Sequence, residues 1–451
     1  MTFLHHIPRT ILLCSLALVL AFPATAQGKL APIAATASVA TNELAFNFYG
    51  QPLQVARLNT IKVKSVRNHD VNQAWHAYEK TDADAIVASL RSLSDEFGLN
   101  DWFVFQLVRK YADELLPESS PKDRVLLEHF LLIAMGYDVR LARTEQQLLL
   151  LVPFEQDVYE HSFIKIKGKD YYLFFDNLEA NRNERSVIYP CDPIKDDGKR
   201  QPFNLLFEGK TLKVRSGEDK LCDLDDGQIH IVCSINPSII EMLSDYPLMD
   251  VQCYATSVVL PQFHQTISEQ LRPQLEDMSQ CEAANALLHF VQHVFGYNKD
   301  ANQFGRYKVN FVEENFYYDE NDCEDRSILY AVLIRSLLGL DVHFVEYPDH
   351  ECTAVHFTDC FTRGYGYDYN GAFYLICDPT YIGADIGKCM PQYRAMRPAI
   401  KSISTTTMNA DRKTALQPVI DKAVLRPNHA MAITSFPIVE APAESMSDTA
   451  E

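Results

Sequence analysis

The chain predicts an α+β fold in two similar lobes. Three observations carry this reading. Stretches with apolar residues at helical spacing come first and runs of short strands follow them, the segregated order of an α+β chain rather than the alternation of a parallel one. That order occurs twice. The two occurrences also share residues in step: Asp123-Arg124, Gly136-Tyr137-Asp138-Val139, His161 and Asp176 parallel Asp325-Arg326, Gly339-Leu340-Asp341-Val342, His350 and Asp378. The second helix is one residue longer, and the parallel implies an internal duplication.

The elements follow in order. Residues 1–26 carry Arg9, an uncharged run over 10–22 and Ala24-Thr25-Ala26 before Gln27, which is the pattern of a cleaved signal peptide. The run is too short to span a bilayer. Cys14 follows Leu13 where a lipoprotein signal wants a small residue, so cleavage after Ala26 is preferred. Residues 27–185 form the first lobe with a helical lead-in: an alternating edge strand at 44–50, then amphipathic helices over 84–97 and 101–115. A helix over 120–135 has Pro121 at its first position, Leu126, Leu127, Phe130, Leu131 and Ala134 on one face, and Gly136 as its stop. Strands follow at 138–142, 148–152, 161–166 and 171–176. Residues 186–260, with alternating runs such as Gln228-Ile229-His230-Ile231-Val232 and Asp-Gly turns, predict a β-rich insertion.

Residues 261–400 form the second lobe. A helix over 279–295 opens on a Ser279-x-x-Glu282 capping box. Another starts at Cys323, with Ile328, Leu329, Val332, Leu333 and Leu337 as its apolar face and Gly339 as its stop. Strands then run over 341–347, 350–357 and 372–378. Residues 401–451 lose periodicity and read as a disordered tail. No later apolar segment is long enough to cross a membrane. A formal charge of -19 repels phosphate backbones and excludes a nucleic-acid partner. Eleven cysteines less Cys14 leave ten for a compartment that permits disulfides. If Cys323 stays a thiol, nine remain and at least one other is unpaired; the sequence does not assign the pairs.

The chemistry-bearing pattern is a cysteine at a helix start, a histidine at the head of a later strand and an aspartate at the end of the next: Cys323, His350 and Asp378. A thiol attacks as thiolate, and the first turn of a helix aims unpaired N–H groups and the positive dipole end at it. Either Asn321 or Asp322 serves as N-cap, and Glu324 stands three residues after Asn321. The carboxylates Asp322, Glu324 and Asp325 raise the thiol's pKa, so His350 must offset them as ion-pair partner, with Asp378 fixing its tautomer. The Cys323 N–H is the first oxyanion donor, and Gln303 or Tyr318 the candidates for a second. His356 competes with His350 for the base, but it lies inside a strand while His350 and His161 both precede one. His350, Cys352, His356 and Cys360 also draw a zinc pattern. An extended strand separates residues 350 and 356 by about 20 Å, too far for one ion. His289 and His293 lie one helical turn apart, with Phe290 where a metalloprotease carries Glu.

These residues resemble the transglutaminase-like branch of the papain-like thiol superfamily. Asp322-Cys323-Glu324-Asp325-Arg326, Tyr347-Pro348-Asp349-His350 with Thr353-Ala354-Val355, and Cys377-Asp378-Pro379-Thr380-Tyr381 match its motif set over about residues 279–395. More narrowly, Asn100-Asp101-Trp102, Gly136-Tyr137-Asp138-Val139-Arg140, Gln303-Phe304-Gly305 and Met390-Pro391 are similar to a group of secreted bacterial proteins with a transglutaminase-like domain. The resemblance implies two papain/transglutaminase-like lobes, each a helix start packed on an antiparallel sheet. The first is degenerate, offering Ser120 or Pro121 where the second has Cys323, with His161 and Asp176 as relics. It implies Cys323 as nucleophile, His350 as base and Asp378 as orienter, with no metal or other cofactor.

The expected function is that of a secreted, periplasmic or envelope-associated thiol enzyme acting on a peptide or protein amide through an acyl-enzyme. Hydrolysis is preferred to cross-linking, because water is always present and nothing marks a lysine-accepting groove. The alternative is a non-catalytic module that binds a peptide or glycan of the envelope.

Overall fold

A computed structural model describes residues 42–174, 187–195, 198–359 and 363–403. The expected signal peptide, Asp176, Cys360 and the tail beyond 403 lie outside the described residues. The fold is α+β, with two five-stranded antiparallel sheets and helices that precede each.

A hairpin of β1 (Glu43–Phe48) and β2 (Gln51–Ala56) leads into α1 (Asn68–Tyr78), α2 (Ala83–Phe97), α3 (Asp101–Leu115) and α4 (Pro121–Ala134). The Asn100 side chain caps α3 by accepting the Phe103 N–H at 3.3 Å, and Gly98 ends α2 in the left-handed region at φ 63. The first sheet comprises β3 (Arg140–Arg143), β4 (Leu148–Val152), β5 (Phe163–Ile166), β6 (Lys169–Phe174) and β7 (Tyr189–Pro190), in the order β5-β6-β4-β3-β7. Helix α4 packs on β4, all five of whose residues are buried. The opposite face is covered by a smaller cluster around Leu149, Leu151, Tyr171 and Leu173.

The stretch expected to be β-rich holds the hairpin β8 (Lys220–Asp225) and β9 (His230–Ile235), but also α5 (Pro237–Ser244) and α6 (Val251–Thr256). Asn236 caps α5, and Pro237 opens it where an N–H would have no partner. Helix α7 (Pro261–Leu275) closes the outer edge of β9 with glutamine side chains. Gln270 accepts the Val232 N–H at 2.9 Å and donates to the Val232 carbonyl at 2.8 Å. One turn on, Gln274 does the same with both groups of His230, each at 2.9 Å.

The second lobe begins with α8 (Gln280–Val294), opened by the Ser279–Glu282 capping box. Then come β10 (Gly296–Tyr297), α9 (Asp300–Gln303), α10 (Val312–Tyr317), β11 (Glu320–Asn321) and α11 (Cys323–Leu333). Helix α11 runs on into a π turn, Ile334–Leu338, before Gly339 stops it at φ 66. Strands β12 (Asp341–Tyr347), β13 (His350–His356), β14 (Gly366–Tyr369), β15 (Ala372–Cys377) and β16 (Ala399–Ser402) take the order β14-β15-β13-β12-β16.

The two sheets share more than strand order. Every cross-strand pair among β3–β6 recurs among β12–β15 at a shift of 203 residues: Leu150 faces Phe174 as Thr353 faces Cys377, and Ile164 faces Tyr171 as Tyr367 faces Tyr374. The same shift carries a hydrogen bond, Tyr171 Oη to Asp138 at 2.9 Å and Tyr374 Oη to Asp341 at 2.5 Å. In the helices the shift is 202, since Asp123 accepts the Val63 N–H at 2.7 Å and Asp325 the Asn310 N–H at 2.8 Å. The π turn supplies the extra residue, because an i→i+5 turn absorbs one residue that an α turn cannot.

This register corrects the parallel drawn from sequence. The position matching His350 is Gln147, not His161; Asp176, set beside Asp378 in the sequence, lies outside the described residues. Pro121, not Ser120, matches Cys323. One continuous core runs from Leu44 to Ile403 through both lobes. Among the described residues no helix is long and apolar enough to cross a membrane.

Candidate active site

The start of α11 is built from acids. Asp322, not Asn321, is the N-cap, and it forms a capping box with Asp325: each side chain accepts the other's backbone N–H, at 3.5 and 3.4 Å. Asp325 is fully buried and also accepts the Asn310 N–H and amide, both at 2.8 Å. Asp300 completes a buried trio, its oxygens within 4.8 Å of those of Asp322 and Asp325. Burial raises all three, Asp300 to about 6, and nearby carboxyls add to it: Glu324 for Asp300, Asp325 and Glu324 for Asp322, Asp300 and Glu324 for Asp325. Arg326 is buried beside them and donates to the carbonyls of Phe295, at 2.6 Å, and Gln292, at 3.4 Å.

Cys323 occupies the first helical position, 8% exposed. Its thiol donates to Glu324 Oε2 at 2.8 Å, and Glu324 Oε1 accepts the Tyr307 hydroxyl at 2.7 Å. Burial above all, then the Glu324 and Asp322 carboxyls, push the thiol well above its ordinary value; the Glu351 backbone N–H, one residue beyond His350, pulls the other way. Sulfur and strand are thus adjacent, because α11 packs against β13 and Ser327 donates to the Glu351 carbonyl at 3.1 Å.

His350 and Asp378 meet in the interior. His350 Nε2 lies 2.9 Å from Asp378 Oδ2, with the two residues 8% and 2% exposed. The other Asp378 oxygen accepts the N–H groups of Thr380 and Tyr381, at 3.0 and 3.2 Å, so the carboxylate is held on both sides. The ring stacks on Tyr393 at 5.1 Å and 10°, and Tyr393 stacks in turn on Tyr347 at 4.6 Å. The Tyr393 hydroxyl donates to Asp349 at 3.1 Å, and its phenol is raised by burial, by Asp349 and by Cys323.

The structure therefore brings His350 to Asp378 as expected and sets Cys323 beside the same strand end. The ion pair expected between Cys323 and His350 is not the contact made; the thiol is turned to Glu324. His356 sits at the far end of β13, with its ring on Tyr374 and Nδ1 at the Phe373 carbonyl. The four-residue zinc pattern does not assemble: His350 and Cys352 gather with Asp378, donor atoms within 4.8 Å, while His356 points elsewhere and Cys360 lies outside the described residues. His289 pairs with Asp385 at 3.1 Å, its ring 5.9 Å from that of His293.

Of the two oxyanion candidates, Gln303 already has a backbone partner and Tyr318 has its ring packed among neighbours. The Gln303 amide donates to the Glu320 carbonyl at 3.1 Å, and Tyr318 packs on Phe304 with Lys308 over its ring. Sequence reasoning missed Tyr297, Tyr307 and Tyr393. Tyr297 is half exposed on β10, which pairs with β11 immediately before Cys323, and its phenol is raised by burial, then by Cys323 and Asp322. Pairing of Tyr297 with Asn321 was its only signal, and a two-residue parallel strand leaves no pattern in sequence. Comparison with family models and with curated proteins finds no match to this chain.

Proposed function

We propose that the second lobe is a transglutaminase-like thiol site that cleaves an amide, and that the first lobe is a degenerate copy of it. The observation that carries this reading is the buried His350–Asp378 bond beside a thiol at the first position of a helix. The first lobe has Pro121 and Gln147 at the matching positions, so the fold persists there without the groups.

In this mechanism the resting thiol is neutral. His350, its tautomer fixed by Asp378, takes the Cys323 proton as sulfur adds to the substrate carbonyl, then delivers it to the leaving amine. The Cys323 N–H, unpaired in the first helical turn, and the Tyr297 hydroxyl face the developing oxyanion. Water then attacks the acyl-sulfur bond, with His350 as base, and restores the thiol. One observation favours the alternative, a binding module without turnover: Glu324 and burial hold the thiol neutral.

One experiment separates the two. The protein is incubated with p-nitrophenyl acetate, release of nitrophenol is followed in the pre-steady state, and the adduct is mapped by peptide mass. The enzyme reading expects a stoichiometric burst and an acetyl group on Cys323, lost in Cys323→Ala and slowed at least tenfold in His350→Ala. Acetylation of Cys323 no faster than of the other free thiols overturns it.

A further inference from the structure

Eight cysteines are free among the described residues, and two of them face one another away from the active site. Cys222 of β8 and Cys233 of β9 are direct cross-strand partners. Their place in the ladder can be read from their neighbours. The backbone groups of His230 and Val232 turn outward to Gln274 and Gln270, so the intervening and following residues, Ile231 and Cys233, bond across to β8. Residues paired in this way hold their Cα atoms about 5.5 Å apart, in the middle of the span that a disulfide bridges. Both side chains point to the buried face, each 6% exposed, and the Cys222 thiol lies 4.0 Å from the Lys220 carbonyl.

We propose that Cys222 and Cys233 are a modification site, oxidised to a cross-strand disulfide by exchange with a disulfide-carrying thiol oxidant. The Cys222 thiolate attacks one sulfur of the oxidant's disulfide, forming a mixed disulfide and releasing one oxidant thiolate. Cys233, deprotonated in turn, attacks the Cys222 sulfur and displaces the second. The two thiol protons pass to the two leaving thiolates, so the cysteine pair loses two electrons and the oxidant gains them. Cys222 attacks first because its thiol is the one lowered, by its cross-strand partner Cys233 and by the Lys220 ammonium two residues away. Because both sulfurs are buried in the packed hairpin, exchange takes place as the hairpin forms or opens.

The bond has a structural target. Lys220, two residues before Cys222, donates to the Tyr317 carbonyl at 2.6 Å and to Asp319 at 3.0 Å. Residues 317–321 are the segment that enters α11, so a covalent tie across the hairpin braces the approach to Cys323 whether or not that thiol is catalytic.

The test uses the full chain equilibrated in oxidised and reduced glutathione, denatured, alkylated without reductant and digested with an aspartate-directed protease. Cleavage at Asp223, Asp225 and Asp226 parts the two cysteines unless they are linked. The expected result is a joined pair of peptides carrying Cys222 and Cys233, with Cys253 and Cys323 alkylated and the disulfide at Cys281 as internal control. Reductant should also lower the Tm of the wild type by several degrees more than it lowers that of Cys222→Ala/Cys233→Ala, in which only the Cys281 disulfide remains to be reduced. Alkylation of both Cys222 and Cys233 in the oxidised sample, or linkage of either to another cysteine, overturns the proposal.

Discussion

Glu324 governs Cys323 through a contact between sequence neighbours in one helical turn. Burial stabilises the neutral thiol, and a carboxylate that accepts its hydrogen bond adds to it, so the reactive thiolate grows only as pH climbs. Replacing Glu324 by Gln removes the charge and keeps an acceptor. The iodoacetamide labelling profile of Cys323 should then shift to lower pH, with a several-fold faster rate at neutral pH and no change at Cys253. Asp378→Asn should leave the fold intact and lower turnover by about 10²–10⁴-fold, because the imidazole loses its tautomer. The order of cysteine, histidine and aspartate was legible because helix starts and strand ends leave local marks. The Glu324 bond and the Tyr393 stack were not, since rotamers and a contact across 43 residues leave none.

At the scale of elements, locally signalled pieces read best. Helix α3 runs over 101–115 as expected because Asn100 caps it, and α8 because Ser279 and Glu282 bond reciprocally. Helix α1 escaped notice: its N-cap is Arg67, with no side-chain bond, and only Val71, Ala74, Trp75 and Tyr78 record the face it buries. The parallel between lobes was drawn by residue identity, which tied His161 to His350; backbone pairing, invisible in a single sequence, sets the true offset. The π turn that absorbs the extra residue makes a prediction of its own. Deleting Arg335 should return the helix to the length of α4 and cost less than about 2 kcal/mol, whereas deleting Leu329 rotates the buried face of α11 and should cost more than about 4 kcal/mol, read by urea unfolding.

For the whole molecule, the buried acids set how stability varies with pH. Burial raises Glu351 to about 8 and Asp300 to about 6, and Asp322 and Asp325 are raised as well. An acid raised on folding binds its proton more tightly in the folded chain, so its contribution is complete below the unfolded value of ~4 and is lost as pH rises through the folded one. His129, lowered to about 3 by burial, acts in the opposite sense below about pH 6.5. Tm should therefore rise as pH falls from about 8 to about 6.5. Glu351→Gln, at a site where one carboxyl oxygen has no hydrogen-bond partner, should flatten that slope and raise Tm at pH 8 by about 2–4 °C. The amides of Gln270 and Gln274 act on this scale too, for they stand where a neighbouring strand would otherwise dock. Exchanging both for leucine bares a ready template along β9, and sedimentation should then show the molecules recruiting one another, edge to edge, as concentration grows.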